Sequence, residues 1–170
     1  MIVDPTVLKP IVNLDGQTCF GCGTNNPVGL HMTFLTDDQR VYSFVTVPRN
    51  MAGWDTTVHG GVISTILDEI MGWSVIYLLR KIGVTKTMTV SFKKPIQVEQ
   101  PLTVVGVIDE QTSERQVLVT GAIYTADGTL CATSQGTFAA MTAPTAVRLG
   151  VMRSEYMERF RPILEQKTGV

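Results

Sequence analysis

The strongest hydrophobic signal in the chain lies between about residues 59 and 80 and predicts one long buried helix. Apolar side chains reach nearly all round its helical wheel, so we expect the helix to be covered on most sides. The apolar positions are Val62, Ile63, Ile66, Leu67, Ile70, Met71, Trp73, Val75, Ile76, Leu78 and Leu79.

After this helix the hydrophobic period changes to two, which indicates strands. From Thr85 onward, apolar and hydroxyl side chains alternate as they do on the two faces of a strand. Two strands are predicted before the helix, on either side of a polar turn at 37–39. After the helix, the strand that begins at Thr85 is followed by three more, and Asp127 and Gly128 form a typical hairpin turn between the last two. The order β-β-α-β-β-β-β predicts an α+β fold, in which an antiparallel curled sheet is wrapped round one long central helix.

Three segments are predicted along the chain. Residues 1–27 form an N-terminal lead-in with a C-x-x-C turn, 28–142 the sheet-and-helix domain, and 143–170 a C-terminal helical extension. Apolar side chains at helical spacing favour an extension that lies on the surface or bridges subunits over a membrane anchor. These side chains are Met152, Tyr156, Phe160 and Ile163 or Leu164.

Composition and charge narrow the function classes. The 170 residues are 44% hydrophobic, which is typical of a compact globular protein. The net charge of −1, without a basic stripe, argues against nucleic-acid binding. Neither a signal peptide nor a stretch of roughly 18 uninterrupted apolar residues is present, so we expect no membrane association and a cytoplasmic location.

The motif CFGCG places Cys19 and Cys22 at a spacing that could supply half of a zinc site. The other candidate soft ligands are Cys131, His31 and His59, without a second paired motif. Thiol redox chemistry is disfavoured, because no strand-to-helix context surrounds the pair. We therefore expect no metal, and interpret the motif as a tight turn.

A narrow stripe of small and polar residues runs along the otherwise apolar helix, because positions three and four apart share a face. Its members are Gly61, Ser64, Thr65, Asp68 and Gly72. Small neighbours leave room for a ligand beside the Asp68 carboxyl. Glu69 lies about 100° round the helix, so the two acids do not form a facing pair, and we expect Glu69 to reach the surface as a bystander.

A binding site for a carbonyl oxygen is predicted at the start of this helix. The sequence His59-Gly60-Gly61 leaves backbone N–H groups unobstructed at the positive end of the helix dipole. These donors could hold a carbonyl oxygen while Asp68, two turns further on, acts on the carbonyl carbon or on an attacking water. No other catalytic or cofactor motif occurs, so Asp68 is the best ionisable candidate and no cofactor is expected.

The motifs around the helix resemble those of the hotdog-fold acyl-CoA thioesterases. The resemblance rests on HGG with an acid nine residues after the histidine, on the following TKTMTVSFKKPI, and on the opening CFGCG…NPVGL, and it covers residues 19–141. Within that superfamily the chain is most similar to the phenylacetate-pathway and human mitochondrial thioesterase-like branch. The resemblance implies a homodimer with active sites at the interface, possibly paired into a tetramer.

The resemblance also implies roles for single residues. Asp68 matches the catalytic acid, as general base or as nucleophile through an anhydride, and the Gly60 N–H matches the group that polarises the thioester carbonyl. His59 matches the residue that orients this loop. Thr85 matches a hydroxyl that positions water from the opposite subunit. In the place of an asparagine that several members have near the water, this chain has Gly53.

The coenzyme A phosphates would need cations, for which Lys93 and Lys94 are candidates. Alternation sends these two lysines to opposite faces of a strand, and a solvated surface role stays equally open for each.

Two alternatives to an acyl-CoA thioesterase remain open. One is an enoyl-CoA hydratase or dehydratase on the same fold, and the other is a non-catalytic acyl-CoA-binding domain.

Overall fold

The computed structural model describes residues 3–165, so the first two residues of the predicted lead-in and the last five of the predicted extension lie outside the described residues. The strands are β1 Lys9–Ile11, β2 Phe34–Thr36, β3 Val41–Thr46, β4 Ala52–Trp54, β5 Thr57–Val58, β6 Ile82–Phe92, β7 Pro101–Ser113, β8 Gln116–Thr125 and β9 Leu130–Met141. The helices are α1 Gly60–Leu79, α2 Ala143–Arg148 and α3 Ser154–Leu164.

Seven strands form one antiparallel sheet in the order β1-β2-β3-β7-β8-β9-β6, and α1 packs against β3 and β6 to β9. The two remaining strands, β4 and β5, form a small hairpin just before α1. The predicted α+β fold, a curled sheet round one long central helix with a C-terminal helical extension, is confirmed.

The contact between α1 and the sheet is the core of the protein. Ile66, Leu67, Ile70 and Met71 of α1 are fully buried. By length and composition α1 is apolar enough to cross a membrane, but half of its most apolar window is buried inside the protein. This burial is what a core helix requires, because the sheet supplies the apolar surroundings that a bilayer otherwise would.

Glycines let the sheet approach α1 closely. A Cβ atom on Gly106 of β7 would lie 2.3 Å from Ser74 Oγ and 2.8 Å from the carbonyl oxygen of Ile70. The helix backbone cannot retreat from the sheet without losing core contacts. Gly106 is therefore required by packing rather than by backbone conformation.

The structure departs from the sequence prediction at short elements and at strand ends. Three-residue β1 and six-residue α2 were not predicted, because elements of this length carry almost no periodic signal. Strand β6 begins at Ile82 rather than Thr85. The predicted C-terminal helix is present as α3, which buries Met157, Phe160 and Ile163.

Replacing Gly106 with alanine tests this close approach. We expect a loss of about 1–3 kcal/mol in the free energy of unfolding, measured by urea denaturation, because the new methyl group overlaps helix atoms. Gly72→Ala is the matched control, since nothing lies within 4 Å of a Cβ at that helical position. The control should gain about 0.5–1 kcal/mol from helix propensity. Equal stability of the two variants would contradict the packing role of Gly106.

Candidate functional site

Asp68 lies on the side of α1 that the sheet leaves partly uncovered. Its carboxylate is partly buried and accepts a hydrogen bond of 2.6 Å from Thr85 Oγ1 on β6. Both residues belong to the same chain. Thr85 therefore orients the acid of its own chain, and its role in positioning water across a subunit interface stays a prediction.

A bulge in β6 directs Thr85 toward Asp68. Along the pairing of β6 with β9, Thr85 faces Phe138 and Thr87 faces Thr137, so Lys86 is an extra residue in the ladder. Strict alternation would put Thr85 on the same exposed face as Thr87. The bulge instead turns Thr85 inward, while Lys86 and Thr87 both stay exposed. The strand pattern in the sequence gives no sign of this irregularity.

His59 caps the N-terminus of α1. Its Nδ1 accepts a hydrogen bond of 2.9 Å from the Gly61 N–H, which satisfies one of the free donors of the first turn. The prediction of two unobstructed donors is therefore wrong for Gly61. Among the described residues no group accepts a hydrogen bond from the Gly60 N–H, so this donor remains available for a ligand.

The Gly60 N–H and Asp68 are too far apart in one chain to act on the same atom. Eight residues separate them on a continuous helix, which corresponds to a rise of about 12 Å. Reacting groups must lie roughly 3–3.5 Å from the reacting atom. The expectation that Asp68 attacks a carbonyl held two turns earlier on its own helix is therefore wrong.

The stripe beside Asp68 has the small and uncovered character that the sequence predicts. Ser64 Oγ and Thr65 Oγ1 donate hydrogen bonds of 3.0 Å to the carbonyl oxygens of Gly60 and Gly61, so both hydroxyls turn back onto the helix. Gly72, at the other end of the stripe, has open space where a side chain would be. Of the stripe, Asp68 and Gly72 line a pocket beside the helix.

Gly53 lies directly against the helix cap. A Cβ atom at this position would lie 3.0 Å from His59 Cα and 3.2 Å from its ring atom Cδ2. An asparagine in this place would have to displace the histidine by a few tenths of an ångström. Glycine in place of the family asparagine at position 53 therefore leaves the space that His59 occupies as the helix cap.

The lysine candidates occupy positions other than those predicted. Strand β6 ends at Phe92, so Lys93 and Lys94 lie in the following loop, where strand alternation does not apply. The backbone N–H groups of both lysines donate to the carbonyl oxygen of Cys131, at 2.8 Å and 3.0 Å. Their side chains are exposed and are not held on opposite faces of a strand.

Glu69 is not the surface bystander that the sequence predicts. Its carboxylate oxygens both lie 3.7 Å from Cys19 Sγ, and Trp73 Nε1 donates a hydrogen bond of 3.1 Å to one of them. Cys22 Sγ belongs to the same group, in which the three ligand-type atoms lie within 4.8 Å of one another. The lead-in folds over this part of α1 and covers Glu69.

The electrostatics of this cluster follow from burial and close contact. Burial raises the pKa of Glu69 to about 7, and negative charge on Cys19 adds to the effect. A hydrogen bond from the Cys22 thiol lowers the pKa of Cys19 to about 5, with help from backbone N–H groups of the turn. Cys22, as the donor of that bond, has a raised pKa. These shifts favour the thiolate form of Cys19 and the protonated form of the Glu69 carboxyl group.

One pocket of about 210 Å³ joins this cluster to the Asp68 site. Its walls include Asp68 and Thr85 as well as Cys19, Cys22 and Glu69. The two histidines are not part of the cluster. His59 caps α1, and His31 Nδ1 lies 2.9 Å from the carbonyl oxygen of Gly23. Cys131 is buried on β9 and is outside the cluster as well.

Comparison with known proteins finds one similar family. Residues 55–132 match the family model of the thioesterase superfamily. Over this region, which is a little under half of the 170 residues, the chain is similar to the thioesterase superfamily. No curated protein matches the sequence.

Solved structures share the fold. One thioesterase superfamily protein is 28% identical with a TM-score of 0.62, and the match covers 67% of this chain and 56% of that one. This chain thus spans little more than half of that relative. A hypothetical thioesterase from Streptococcus pneumoniae TIGR4, solved with coenzyme A, is 23% identical with a TM-score of 0.58 over 62% of this chain and 80% of that one.

The E. coli PaaI protein from the phenylacetic acid degradation operon is 16% identical, with a TM-score of 0.60 over 66% of this chain and 80% of that one. At such identities these two structures show the fold alone. Together with the family match they confirm the predicted resemblance to the hotdog-fold thioesterases.

Replacement of His59 tests the capping contact. We expect His59→Ala to lower the free energy of unfolding by about 0.5–2 kcal/mol, because the Gly61 N–H loses its acceptor. His59→Asn, whose side chain is among the best N-caps, should stay within a few tenths of the parent value. Guanidinium denaturation of the three proteins measures the difference. An unchanged value for His59→Ala would show that the cap contributes nothing to stability.

Proposed function

We propose that this protein is an acyl-CoA thioesterase, which hydrolyses a thioester to a free acid and coenzyme A. The observation that carries the proposal is the Asp68 carboxylate, which Thr85 Oγ1 holds at 2.6 Å beside a stripe of small residues. The match of residues 55–132 to the thioesterase superfamily supports it. The coenzyme A in the related Streptococcus pneumoniae structure supports this substrate class.

In the proposed reaction Asp68 attacks directly or activates water. As general base it takes a proton from water, whose oxygen adds to the thioester carbonyl. As nucleophile it forms an anhydride, which water then cleaves. In either case the carbon–sulfur bond breaks, and coenzyme A leaves as a thiolate that takes up a proton. Thr85 fixes the orientation of the carboxylate and leaves its second oxygen free to react.

The Gly60 N–H polarises the carbonyl in this proposal. It stands at the positive end of the helix dipole and among the described residues no group accepts its hydrogen bond, so it can stabilise the developing oxyanion. Because about 12 Å of helix separates it from Asp68 in one chain, the two groups of a single site belong to different protomers.

The sheet offers a suitable edge for such a pairing. Strand β6 is 11 residues long and pairs only with β9 among the described strands, so its other edge is open. The opposite edge of the sheet, β1, is three residues long and contains Pro10, which blocks extension. We therefore propose a homodimer through β6, with Lys93 and Lys94 beyond its end as candidates for binding the coenzyme A phosphates.

The substitution Asp68→Asn tests the reactive carboxylate. It is nearly isosteric, so the fold should persist while hydrolysis falls by at least about a hundredfold, the usual range for loss of a general base or nucleophile. Thiol release from a panel of acyl-CoAs of different chain length is the measurement.

Asp109→Asn serves as the matched control, because Asp109 is exposed and its carboxylate accepts a hydrogen bond from Thr120 on the neighbouring strand, away from the site. Undiminished hydrolysis by Asp68→Asn would contradict the assignment. Wild-type binding of acyl-CoA without turnover would favour the non-catalytic domain. Consumption of an enoyl-CoA without thiol release would favour the hydratase.

Replacement of Gly60 tests the two-protomer site. Gly60→Pro removes the N–H at the first helical position, where proline fits, and His59 already has the extended ψ of 135° that a residue before proline needs. We expect this variant to lose turnover at unchanged stability. Gly60→Ala keeps the donor, and its Cβ meets only the Phe92 ring at 3.6 Å, so it should stay active.

Mixing inactive Gly60→Pro with inactive Asp68→Asn decides where the two groups act. In a site shared between protomers, a mixed dimer keeps one site with both groups intact. Random pairing should then restore about a quarter of the wild-type rate, since half the dimers are mixed and each has one good site. No recovery after verified subunit exchange would contradict the shared site.

A further inference from the structure

We propose that Cys19, Cys22 and Glu69 bind a zinc ion through two thiolates and one carboxylate. The three ligand-type atoms lie within 4.8 Å of one another, and no other group of three histidine, cysteine or acidic side chains meets this condition among residues 3–165. Zinc in proteins prefers sulfur ligands together with nitrogen or carboxylate oxygen, in a tetrahedral arrangement. The proposal does not depend on the activity proposed above.

The distances fit a tetrahedral ion. Zinc–sulfur bonds of about 2.3 Å and zinc–oxygen bonds of about 2.0–2.2 Å place sulfur and oxygen ligands roughly 3.5–3.7 Å apart at the tetrahedral angle. The measured separation from Cys19 Sγ to either Glu69 oxygen is 3.7 Å. Cys19 and Glu69 therefore need little movement to bind the ion, and Cys22 Sγ lies within 4.8 Å of both.

Two glycines of the CFGCG motif make this approach possible. A Cβ atom on Gly21 would lie 2.4 Å from Glu69 Oε2, so any side chain there would push the carboxylate away from the cysteines. A Cβ atom on Gly23 would lie 2.5 Å from the backbone nitrogen and oxygen of Cys19. The turn itself is closed by a hydrogen bond of 2.9 Å from the Gly23 N–H to the Cys19 carbonyl oxygen.

Outer hydrogen bonds orient the ligands as they do in metal sites. Trp73 Nε1 donates to Glu69 Oε1 at 3.1 Å, and the ring of Trp73 is itself fixed by stacking on Phe34. Gln17 Nε2 donates to Cys22 Sγ at 3.4 Å. The hydroxyl of Tyr156 on α3 donates to Gln17 Oε1 at 3.0 Å, which connects the C-terminal extension to the cluster.

The cluster lacks a compensating positive charge. Among the described residues no lysine or arginine forms an ion pair with Glu69. A divalent cation would supply this charge and allow all three ligands to ionise. The fourth coordination position would open to the pocket shared with Asp68 and would take a water.

Metal binding by the whole chain tests the proposal. Chelator-stripped, reduced protein should take up one zinc per chain, measured by elemental analysis after desalting, and zinc should raise its melting temperature. Cobalt in place of zinc should give a near-ultraviolet thiolate charge-transfer band and the intense visible bands of a tetrahedral ion. Cys131→Ser is the matched control, because Cys131 is buried outside the cluster, and it should behave like the parent protein.

Cys19→Ser should lose stoichiometric zinc and the charge-transfer band, and Glu69→Gln should weaken zinc binding at least tenfold while circular dichroism shows an intact fold. Cys19 is only partly buried and the glutamine is nearly isosteric, so both variants should fold even where Cys22→Ser does not. Failure of reduced protein to bind zinc above the level of Cys19→Ser would overturn the proposal. A cobalt spectrum unaffected by Cys19→Ser would do so as well, and so would a Cys19–Cys22 disulfide that persists under reducing conditions.

Discussion

The packing of α1 inside the curled sheet is the constraint on which the rest of the structure depends. A helix that is apolar nearly all round must be covered on most sides, and β3 with β6 to β9 covers only part of it. Close approach requires glycine at Gly106, where a Cβ would lie 2.8 Å from a helix carbonyl. The sheet leaves two sides of α1 uncovered. One carries the stripe of small residues beside Asp68, and the other is covered by the N-terminal lead-in.

The rotation of the helix explains why two adjacent acids have different surroundings. Asp68 and Glu69 are about 100° apart on α1. One therefore faces Thr85 on β6, whereas the other faces the turn that contains Cys19 and Cys22. Adjacent carboxylates on a core helix would repel each other and cost desolvation if they shared one environment. Here each has its own hydrogen-bond donors, and one pocket connects the two environments.

The sequence predicts periodic features well and long-range contacts poorly. The central helix, the long strands and the stripe beside Asp68 follow from hydrophobic spacing, which is local information. The bulge at Lys86 leaves no trace in the pattern, so the inward turn of Thr85 could not be predicted from it. The third member of the cysteine cluster was missed because Glu69 is 50 residues from Cys19 along the chain. Spacing rules for metal motifs consider neighbouring cysteines and histidines and do not consider such a distant carboxylate.

The straightness of α1 has a chemical consequence that no local motif reveals. A continuous helix holds the Gly60 N–H and the Asp68 carboxylate about 12 Å apart, and no side-chain rotation can close that gap, because the donor is part of the backbone. A reaction that needs both groups at one carbonyl must therefore bring a second α1 alongside the first. The open edge of β6 lies on the strand that carries Thr85, so pairing there would extend the sheet next to the acid. In the proposed thioesterase, the helix that builds the core of one chain therefore carries the carbonyl-binding donor at its N-terminus and the carboxylate near its middle, and a second copy of the chain brings the two groups together.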